Sequence, residues 1–441
     1  MRPARPRAAR PVRVTGVEPG ALRAGYYSDS YFLQAACILR LSAGAGERFA
    51  GRPLALRGPA DGIARHVPGN AVVEMQYFAR RAPRFLAAGI GPALGILRDG
   101  LPAPRRGPSA TWSRPAARAL PEGSLARPRQ PVLVVRGRYR DFAHLETPML
   151  GVLARCSRVA TNVYEALVAA RGKPILFFPA RFDLPQCQPL DGYAYGVALQ
   201  AYARSTGRVV PAHVSTDAQG MLWGQRGGGT MPHAFVLCFL GDTAEATLAL
   251  CRHMPTRILR VALVDTTNDC AGEAVRTARG LFAERLRLLR AGRRAEAARH
   301  VLHAVRIDTA QDLKDRRVPS SSDPRRERGV TPVLARIVRR ALDDAPAGLG
   351  LAGRWRREAE RYFRGVRIVA TGGFTREKIR YFESERAPVD VYGIGSALLR
   401  GDANEYTADV VRVRVGGRFV VASKTGRRPG DFRGLLPARL G

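Results

Sequence analysis

Lysine is scarce in this chain of 441 residues, and acidic residues are few. Only four lysines occur, and 72 basic residues face 37 acidic ones, so arginine carries nearly all of a formal net charge of +35. A charge of this size favours a nucleic-acid partner in general. Here the arginines are spread along the chain and form no single stripe with aromatic side chains. We therefore predict no specific nucleic-acid binding, and a phosphate-rich small substrate is an equally good use of the charge.

Long apolar runs and paired cysteines are missing too. No stretch approaches the roughly 18 apolar residues that span a bilayer, so we predict no membrane partner. The six cysteines are scattered, without a Cys-x-x-Cys pair or a metal-ligand spacing with histidine, which indicates reduced thiols and a cytoplasmic location. The hydrophobic fraction of 46% is that of a globular protein. The length exceeds one typical domain.

The two ends of the chain differ from its middle. The first residues, MRPARPRAARPVR, are basic and proline-rich and lack the apolar segment of a secretory signal. We predict a disordered tail over residues 1–24 and an N-terminal α/β domain over 25–150. Residues 408–423 read as a hairpin that turns at Gly416-Gly417, so we predict that residues 406–441 pack on the N-terminal domain.

Pro121-Glu122-Gly123 is typical of a turn between paired edge strands.

From residue 174 onward, short apolar strand candidates alternate with helical stretches. Each candidate ends in small or polar residues, and a helical pattern follows. The candidates are Ile175–Phe178, Val209–Val214, Ile258–Val264, Ala304–Ile307, Val366–Val369 and Val389–Tyr392. Repeated strand-then-helix order indicates a parallel α/β layout. We therefore predict an irregular α/β barrel over residues 151–405, with chemistry-bearing residues at the carboxyl ends of its strands.

A histidine follows a glycine-threonine turn in Gly229-Thr230-Met231-Pro232-His233, just before a mostly apolar stretch. Thr230 is a candidate N-cap, and Pro232 suits the first turn of a helix, where a missing N–H costs nothing. Backbone N–H groups at a helix start favour anions, so the imidazole of His233 is placed to meet phosphate. The alternative is a histidine that caps an ordinary buried helix.

Glycine-rich segments end the last two strand candidates. They are Thr371-Gly372-Gly373-Phe374-Thr375 and Gly393-Ile394-Gly395-Ser396. Glycine lets backbone N–H groups come close to a phosphate, and the final two strands of an α/β barrel commonly carry a phosphate site. Tight strand-to-helix turns also need glycine, so either segment alone is a weak signal.

Charged side chains end several other strand candidates. Asp265 and Asp308 suit either magnesium carried by a pyrophosphate or stabilisation of positive charge on a ribose carbon, and the alternative for both is helix capping. Arg181 and Arg306 suit a carboxylate or a phosphate, although among so many arginines either could be a bystander. Tyr31 could stack on an aromatic ring or belong to the core.

Eleven stretches resemble, in order, the nicotinate phosphoribosyltransferase family, especially its bacterial branch. They run from about residue 26 to 411 and are YYSDSYFL, FAHLETPMLGVLARCSRVATNV, GKPILFFPARFD, DGYAY, VSTDAQG, GGGTMPHAF, VALVDTTND, VRIDT, IVATGGFTREKIRYFE, PVDVYGIGSALL and YTADVV. The resemblance implies a type II phosphoribosyltransferase fold and usually a homodimer. It implies attack of the nicotinate nitrogen on C1 of 5-phosphoribosyl 1-pyrophosphate, which gives nicotinate mononucleotide and pyrophosphate. ATP hydrolysis drives this reaction in the family through a transiently phosphorylated histidine, at the position of His233.

The resemblance also assigns roles by position. Tyr31 falls where the pyridine ring is stacked, and Arg181 and Arg306 match arginines near the nicotinate carboxylate and the phosphates. Thr230, three residues before His233, is a further candidate for substrate binding. Asp308 matches the acidic residue of the family's Arg-x-Asp-Ser motif. Asp265 is a candidate ligand of Mg²⁺ on the pyrophosphate because of its place at a strand end, not because of the resemblance. The ribose 5-phosphate cradle of the family falls on Gly372, Gly373, Gly395 and Ser396. Thr371 and Gly393, from the same two glycine-rich segments, are further candidates for phosphate binding.

Three departures from the family pattern bear on these assignments. Gln311-Asp312-Leu313-Lys314 differs from the usual continuation after the acidic motif, which concerns substrate contacts. Leu184 stands where close relatives carry a histidine, which concerns substrate contacts. Residues 345–360 look like an insertion that forms a peripheral loop. The alternatives to a nicotinate enzyme are transfer to nicotinamide or quinolinate, and an inactive arginine-rich binding protein.

Overall fold

The computed structural model of the protein describes residues 8–57, 61–101, 115–401 and 404–440. The chain divides into two compact units. The first unit comprises Met1–Tyr164, Pro185–Gly207 and Gly401–Gly441, and the second comprises Glu165–Leu184 and Arg208–Arg400. The second unit therefore begins later than the predicted barrel domain, and Pro185–Gly207 belongs to the first unit.

The first unit is built on an antiparallel sheet. The strands described in this unit are β1 (Leu56–Arg57), β2 (Val72–Ala79), β3 (Phe85–Ala87), β4 (Ala116–Ala119), β5 (Ser124–Ala126), β6 (Leu133–Arg138), β13 (Tyr406–Val415), β14 (Arg418–Ala422) and β15 (Leu436–Ala438). Seven of them form one sheet in the order β1-β14-β13-β2-β6-β4-β15, and β3 pairs with β5 in a second sheet. The predicted C-terminal hairpin is confirmed, since β13 and β14 pair and β13 lies beside β2.

A buried carboxylate links three strands of this sheet. Glu74 of β2 is 1% exposed and lies opposite Arg136 of β6 and Arg412 of β13. Both arginines donate hydrogen bonds to its carboxylate. A buried charge is stable only when it is paired, so this contact fixes the register of the C-terminal hairpin on the sheet.

Six helices belong wholly or partly to the first unit. They are α1 (Pro19–Ala24), α2 (Ser30–Gly44), α3 (Ile90–Gly100), α4 (Tyr139–Phe142), α5 (Glu146–Ala169), which ends in the second unit, and α6 (Gln188–Thr206). The apolar helix α3 is buried from Ile90 to Leu97 and packs in the core with residues of β2, β3 and β6.

Two predictions for the first unit are wrong. Residues 8–24 are not a disordered tail, because Val14 and Leu22 are buried in the core and the Val12 N–H donates to the Gly91 carbonyl. Residues 1–7 lie outside the described residues. The turn at residues 121–123 does not join paired strands, since β4 pairs with β6 and β5 pairs with β3. Its Glu122 carboxylate instead accepts hydrogen bonds from the N–H groups of Gly89 and Gly91.

The second unit contains a curled parallel sheet. Its strands are β7 (Ile175–Phe177), β8 (His213–Val214), β9 (Val261–Leu263), β10 (Ala304–Ile307), β11 (Arg367–Ala370) and β12 (Val391–Ile394). All run in the same direction, in the order β8-β7-β12-β11-β10-β9. Within the described residues no hydrogen-bonded ladder joins β8 to β9, so the predicted α/β barrel is half-closed.

Helices surround this sheet in the second unit. They are α7 (Asp217–Gly220), α8 (His233–Cys238), α9 (Thr243–His253), α10 (Cys270–Arg290), α11 (Arg294–Ala297), α12 (Pro324–Glu327), α13 (Pro332–Asp344), α14 (Gly353–Arg364) and α15 (Arg376–Ser384). In the described part of the chain, no helix has both the length and the apolar character needed to cross a bilayer.

The predicted peripheral loop at residues 345–360 is largely helical. Helix α14 covers its second half, and Tyr362 and Phe363 of this helix pack their rings against Phe282 of α10. The segment is therefore anchored by buried aromatic side chains. The arginines and glutamates of α14 occupy its outer face, where Arg361 pairs with Glu358.

Candidate active site

A cavity of about 800 Å³ opens at the carboxyl ends of the parallel strands. Because the strands share one direction, the residues that follow them meet at one edge of the sheet. The cavity is lined by Phe178, Ala180, Arg181, Phe182, Ser215, Gly228, Gly229, Thr230, Met231, Pro232, His233, Arg306, Asp308, Gln311, Thr371, Gly372, Gly373, Phe374, Thr375, Gly393, Gly395, Ser396, Ala397 and Arg400. Eleven of the thirteen residues predicted for the site are among them.

His233 lies at the first position of the short helix α8. Met231 and Val236, on either side of it in sequence, are buried and pack against Leu263 of β9. These two anchors fix the backbone while the imidazole stays 43% exposed. Pro232 occupies the cap position without a side-chain capping bond, so the prediction that Thr230 caps this helix is wrong.

Asp265 is the partner of His233. The Nε2 atom of His233 lies 3.0 Å from each carboxylate oxygen of Asp265, which follows β9. Burial raises the pKa of Asp265 above its ordinary value, and the adjacent imidazole counteracts this shift. An ionised carboxylate only accepts hydrogen bonds, so the contact fixes the Nε2–H tautomer and orients the ring. Nδ1 has no hydrogen-bond partner among the described residues.

A second charged network holds Asp308. Arg306 donates from Nη2 to Asp308 Oδ2 at 2.6 Å and from Nη1 to the Thr230 hydroxyl. Thr371 donates its hydroxyl proton to Asp308 Oδ1 at 2.6 Å. The network joins the ends of β10 and β11 to the Thr230 turn. Arg306 is therefore largely engaged by protein groups, whereas the resemblance assigned it to the substrate.

The two glycine turns lie in this cavity as predicted. Gly372 and Gly373 have φ angles of +86° and +64°, in the left-handed region that glycine adopts without strain. A Cβ atom on Gly393 would clash with the Thr371 side chain, and one on Gly395 would clash with the Phe182 ring. Glycine is thus required at both turns, and the open space beside their backbone is the kind a phosphate needs.

Arg181 is the cation best placed to bind a substrate anion. It lies in a 3-10 turn over Pro179–Phe182, directly after β7, with its guanidinium 5.2 Å from the centre of the Phe182 ring. It forms no ion pair with any carboxylate that the structure describes. An unpaired guanidinium beside a cavity suits bidentate binding of a carboxylate or phosphate.

Tyr31 and Leu184 are not lining residues of the cavity. Tyr31 belongs to the first unit, where it is 61% exposed at the start of α2 and its hydroxyl donates to Asp29. Its predicted stacking on the pyridine stays a prediction. Leu184 is 65% exposed, and its predicted effect on substrate contacts also stays a prediction.

Segments of the chain match known proteins. Residues 60–157 match the family model "Quinolinate phosphoribosyl transferase, N-terminal domain". The nicotinate phosphoribosyltransferase of Rattus norvegicus is 37% identical over 131 residues, which cover 30% of this chain and 22% of that protein. One from Mycobacterium tuberculosis is 26% identical over 282 residues, which cover 64% of this chain and 47% of that protein. The match thus spans about a fifth to a half of these relatives' length.

Solved structures share the architecture. The nicotinate-nucleotide pyrophosphorylase from Pyrococcus furiosus superposes with a TM-score of 0.63 at 24% identity, covering 95% of this chain and 82% of that one. Human nicotinic acid phosphoribosyltransferase superposes with a TM-score of 0.51 at 19% identity, covering 92% and 77%. Over these segments the chain is similar in sequence to nicotinate phosphoribosyltransferases. It has the type II phosphoribosyltransferase fold, as the resemblance implied.

The described residues of the chain do not fit a metal held by the protein alone. They contain no cluster of three or more histidine, cysteine, aspartate or glutamate side chains at metal-binding spacing. Both oxygens of Asp265, the predicted Mg²⁺ ligand, face His233, and both oxygens of Asp308 are hydrogen-bonded.

Sequence reasoning missed some residues of the site. Gln311, part of the Gln311–Lys314 departure from the family pattern, lines the cavity. Arg400 also lines the cavity, Lys378 donates a hydrogen bond to the Gly372 carbonyl from behind the glycine turn, and neither of these two residues is predicted from the sequence. Gln311 lies three residues after Asp308, and this closeness to a predicted site residue is the sequence signal for a place in the site. Arg400 and Lys378 each lie five residues beyond the last glycine of their turn, too far for a strand-end pattern to select them among the other basic residues.

We predict that Gly395→Ala weakens binding of inorganic phosphate, the simplest probe of a phosphate site at this turn, by about tenfold or more. The added methyl group overlaps the Phe182 ring, and overpacking costs about 1–3 kcal/mol. Isothermal titration calorimetry measures the change. Gly151→Ala is the matched control, because a Cβ atom at this position in α5 meets nothing within 4 Å. Equal affinity of the Gly395→Ala variant and the unaltered chain would show that this turn does not hold the ligand.

Proposed function

We propose that this chain transfers the phosphoribosyl group of 5-phosphoribosyl 1-pyrophosphate to nicotinate and releases nicotinate mononucleotide and pyrophosphate, as a step of NAD salvage. The observation that carries the proposal is the meeting of His233, Asp308 and both glycine turns in one cavity. The names of the relatives support the same reaction, although only segments of those proteins match.

The lining residues can divide the substrates between them. Backbone N–H groups of the glycine turns suit the 5-phosphate, and Arg181 suits the carboxylate of nicotinate or a pyrophosphate oxygen. The pyridine nitrogen attacks C1 as the bond from C1 to the pyrophosphate oxygen breaks, and the electron pair leaves with pyrophosphate. Positive charge develops on the ribose in this step. Asp308, held rigidly by Arg306 and Thr371, is the anion that can stabilise it.

His233 is the group that can couple this transfer to ATP. Its Nε2–H is directed to Asp265, so the lone pair of Nδ1 is the nucleophile. Nδ1 attacks the terminal phosphorus of ATP, the bond to the bridging oxygen breaks, and ADP leaves with that electron pair. Water later hydrolyses the N–P bond and releases phosphate. A phosphoryl group on His233 adds negative charge at the mouth of the cavity and can hold the neighbouring segments closed over the substrates.

Magnesium enters this proposal as part of the substrate. Pyrophosphate and ATP carry the ion as a complex, and it neutralises the leaving pyrophosphate there. A cytoplasmic location, predicted from the scattered cysteines, suits these substrates.

We further propose that the chain is a homodimer. Helix α2 of the first unit exposes large apolar side chains at Tyr31, Ile38 and Leu41, by 61%, 64% and 69%. These three residues share one face of the helix, and a contiguous exposed apolar face is typical of a protein interface.

The dimer proposal predicts about twice the chain mass of 48.0 kDa in multi-angle light scattering. Ile38→Glu places a charge in the buried interface and gives the single-chain mass at micromolar concentration. Val209→Glu, at an 87% exposed position of the second unit, is the control and leaves the dimer intact. A single-chain mass for the unaltered protein would refute the dimer.

The reaction is tested with purified protein, nicotinate, 5-phosphoribosyl 1-pyrophosphate and Mg²⁺, with and without ATP. We expect nicotinate mononucleotide in both conditions and faster formation with ATP. His233→Ala removes the nucleophile, so we expect it to abolish the stimulation by ATP while the protein stays folded. His253→Ala, an exposed histidine at the end of α9, is the control. Undiminished ATP stimulation in the His233→Ala variant would contradict the phosphohistidine role.

The same assay, run with quinolinate or nicotinamide in place of nicotinate, distinguishes the alternative functions. Quinolinate is the second candidate, because residues 60–157 match the N-terminal domain of quinolinate phosphoribosyl transferase. Nicotinamide lacks the carboxylate that Arg181 suits, so we expect it to react more slowly than nicotinate. Turnover of none of the three pyridines by folded protein would support an inactive binding protein instead.

A further inference from the structure

Lys378 differs from the other lysines in its surroundings. Its Nζ donates a hydrogen bond of 3.0 Å to the Gly372 carbonyl and lies 4.6 Å from the centre of the Phe374 ring. By contrast, Lys173 is paired with Glu383 at 2.6 Å. Lys378 forms no ion pair in the part of the chain that the structure describes, and it is not a lining residue of the cavity. It is a partly buried cation whose ammonium contacts the carbonyl side of the glycine turn.

Lys378 is hydrogen-bonded to this turn through its backbone N–H and through its side chain. The Thr375 hydroxyl accepts a hydrogen bond from the Lys378 N–H at 3.2 Å and so caps α15, and the side chain reaches back to Gly372. The peptide between Gly372 and Gly373 is planar and trans, so its C=O and N–H point in opposite directions. Since the carbonyl is directed at Lys378, the Gly373 N–H is directed away from the ammonium. Gly372 and Gly373 line the cavity and Lys378 does not, which is the arrangement expected if this N–H faces the cavity.

The electrostatics agree with this geometry. Burial lowers the pKa of Lys378 to about 8, because no nearby carboxylate offsets the cost of removing the ammonium from water. A buried charge without a partner is costly, and it is retained where a ligand completes the pair. None of the N–H groups of Gly372, Gly373 and Phe374 has a hydrogen-bond partner among the described residues, so the turn presents donors with a cation behind them.

We propose that Lys378 is a positioning residue for phosphate: it locks the Gly372–Gly373 peptide so that the Gly373 N–H faces the cavity, and its charge attracts the phosphate that binds there. The phosphate group is the 5-phosphate of the substrate if the proposed function is correct, on which this inference rests. The residue acts through the turn and does not touch the reacting atoms.

Inorganic phosphate is the probe, because its binding does not depend on turnover. We expect Lys378→Met to weaken phosphate binding by about tenfold in calorimetry, the size typical of one charge-assisted hydrogen bond. We expect Lys378→Arg to stay within about threefold of the unaltered chain, since it keeps the charge and the donor. Lys424→Met removes one charge at an exposed position of the first unit and leaves binding unchanged.

Thermal unfolding without phosphate distinguishes positioning from a purely structural role. Replacing a buried unpaired ammonium by methionine removes a desolvation cost, so we expect the midpoint of Lys378→Met to stay equal or rise. A structural lysine gives the reverse result: a lowered midpoint and unchanged phosphate affinity in the folded protein, which would overturn the proposal. If the methionine variant does not fold, Lys378→Gln, which keeps a donor without the charge, decides by the same two readouts.

Enzyme kinetics distinguish a failure of the positioning role of Lys378 from a failure of the proposed reaction. In an active enzyme, Lys378→Met raises KM for 5-phosphoribosyl 1-pyrophosphate by about tenfold and leaves KM for nicotinate within about twofold. If the unaltered chain binds phosphate but converts no pyridine, the proposed reaction fails and the phosphate titrations still test Lys378. If the unaltered chain binds no phosphate, the positioning role is wrong.

Discussion

Six strands of the second unit run in the same direction, and the loops that leave their carboxyl ends therefore meet at one edge of the sheet. Residues as far apart in sequence as Arg181, His233, Asp308 and Ser396 line a single cavity for this reason. Short side chains from neighbouring strands, among them Val261, Ala304, Val369 and Val391, fill the sheet's apolar cluster. The chemistry of the site thus depends on strand direction before it depends on any single side chain.

Charges at the site are mostly compensated within the protein before a substrate arrives. Asp308 is held by Arg306 and Thr371, and Asp265 by His233. Such pairing fixes the side chains in place, so that substrate binding need not reorganise them. The uncompensated groups are cations and backbone N–H groups at the glycine turns. A site with fixed anions and free donors is suited to phosphate-bearing ligands.

Much of this arrangement could be predicted from the sequence, and the failures have physical causes. The predicted and observed bounds of β10 agree at both ends, because the mostly apolar run Ala304–Ile307 is followed directly by the charged Asp308. Val209–Val214 formed a strand only at its end, since Pro211 cannot donate to a ladder and Val209 is exposed. Thr230 is bonded by Arg306 and caps no helix, a tertiary contact that no local pattern reveals. Lys378 escaped prediction because only the folded turn brings its ammonium to a carbonyl.

A crystal structure with 5-phosphoribosyl 1-pyrophosphate and Mg²⁺ bound tests the central claim most directly. We expect the 5-phosphate to lie within hydrogen-bonding distance of the Gly373 and Ser396 N–H groups, and C1 of the ribose to lie on the side of Asp308. We also expect Nδ1 of His233 to face the ligand while Nε2 keeps its contact with Asp265. A 5-phosphate bound away from both glycine turns, with His233 directed out of the cavity, would contradict this claim.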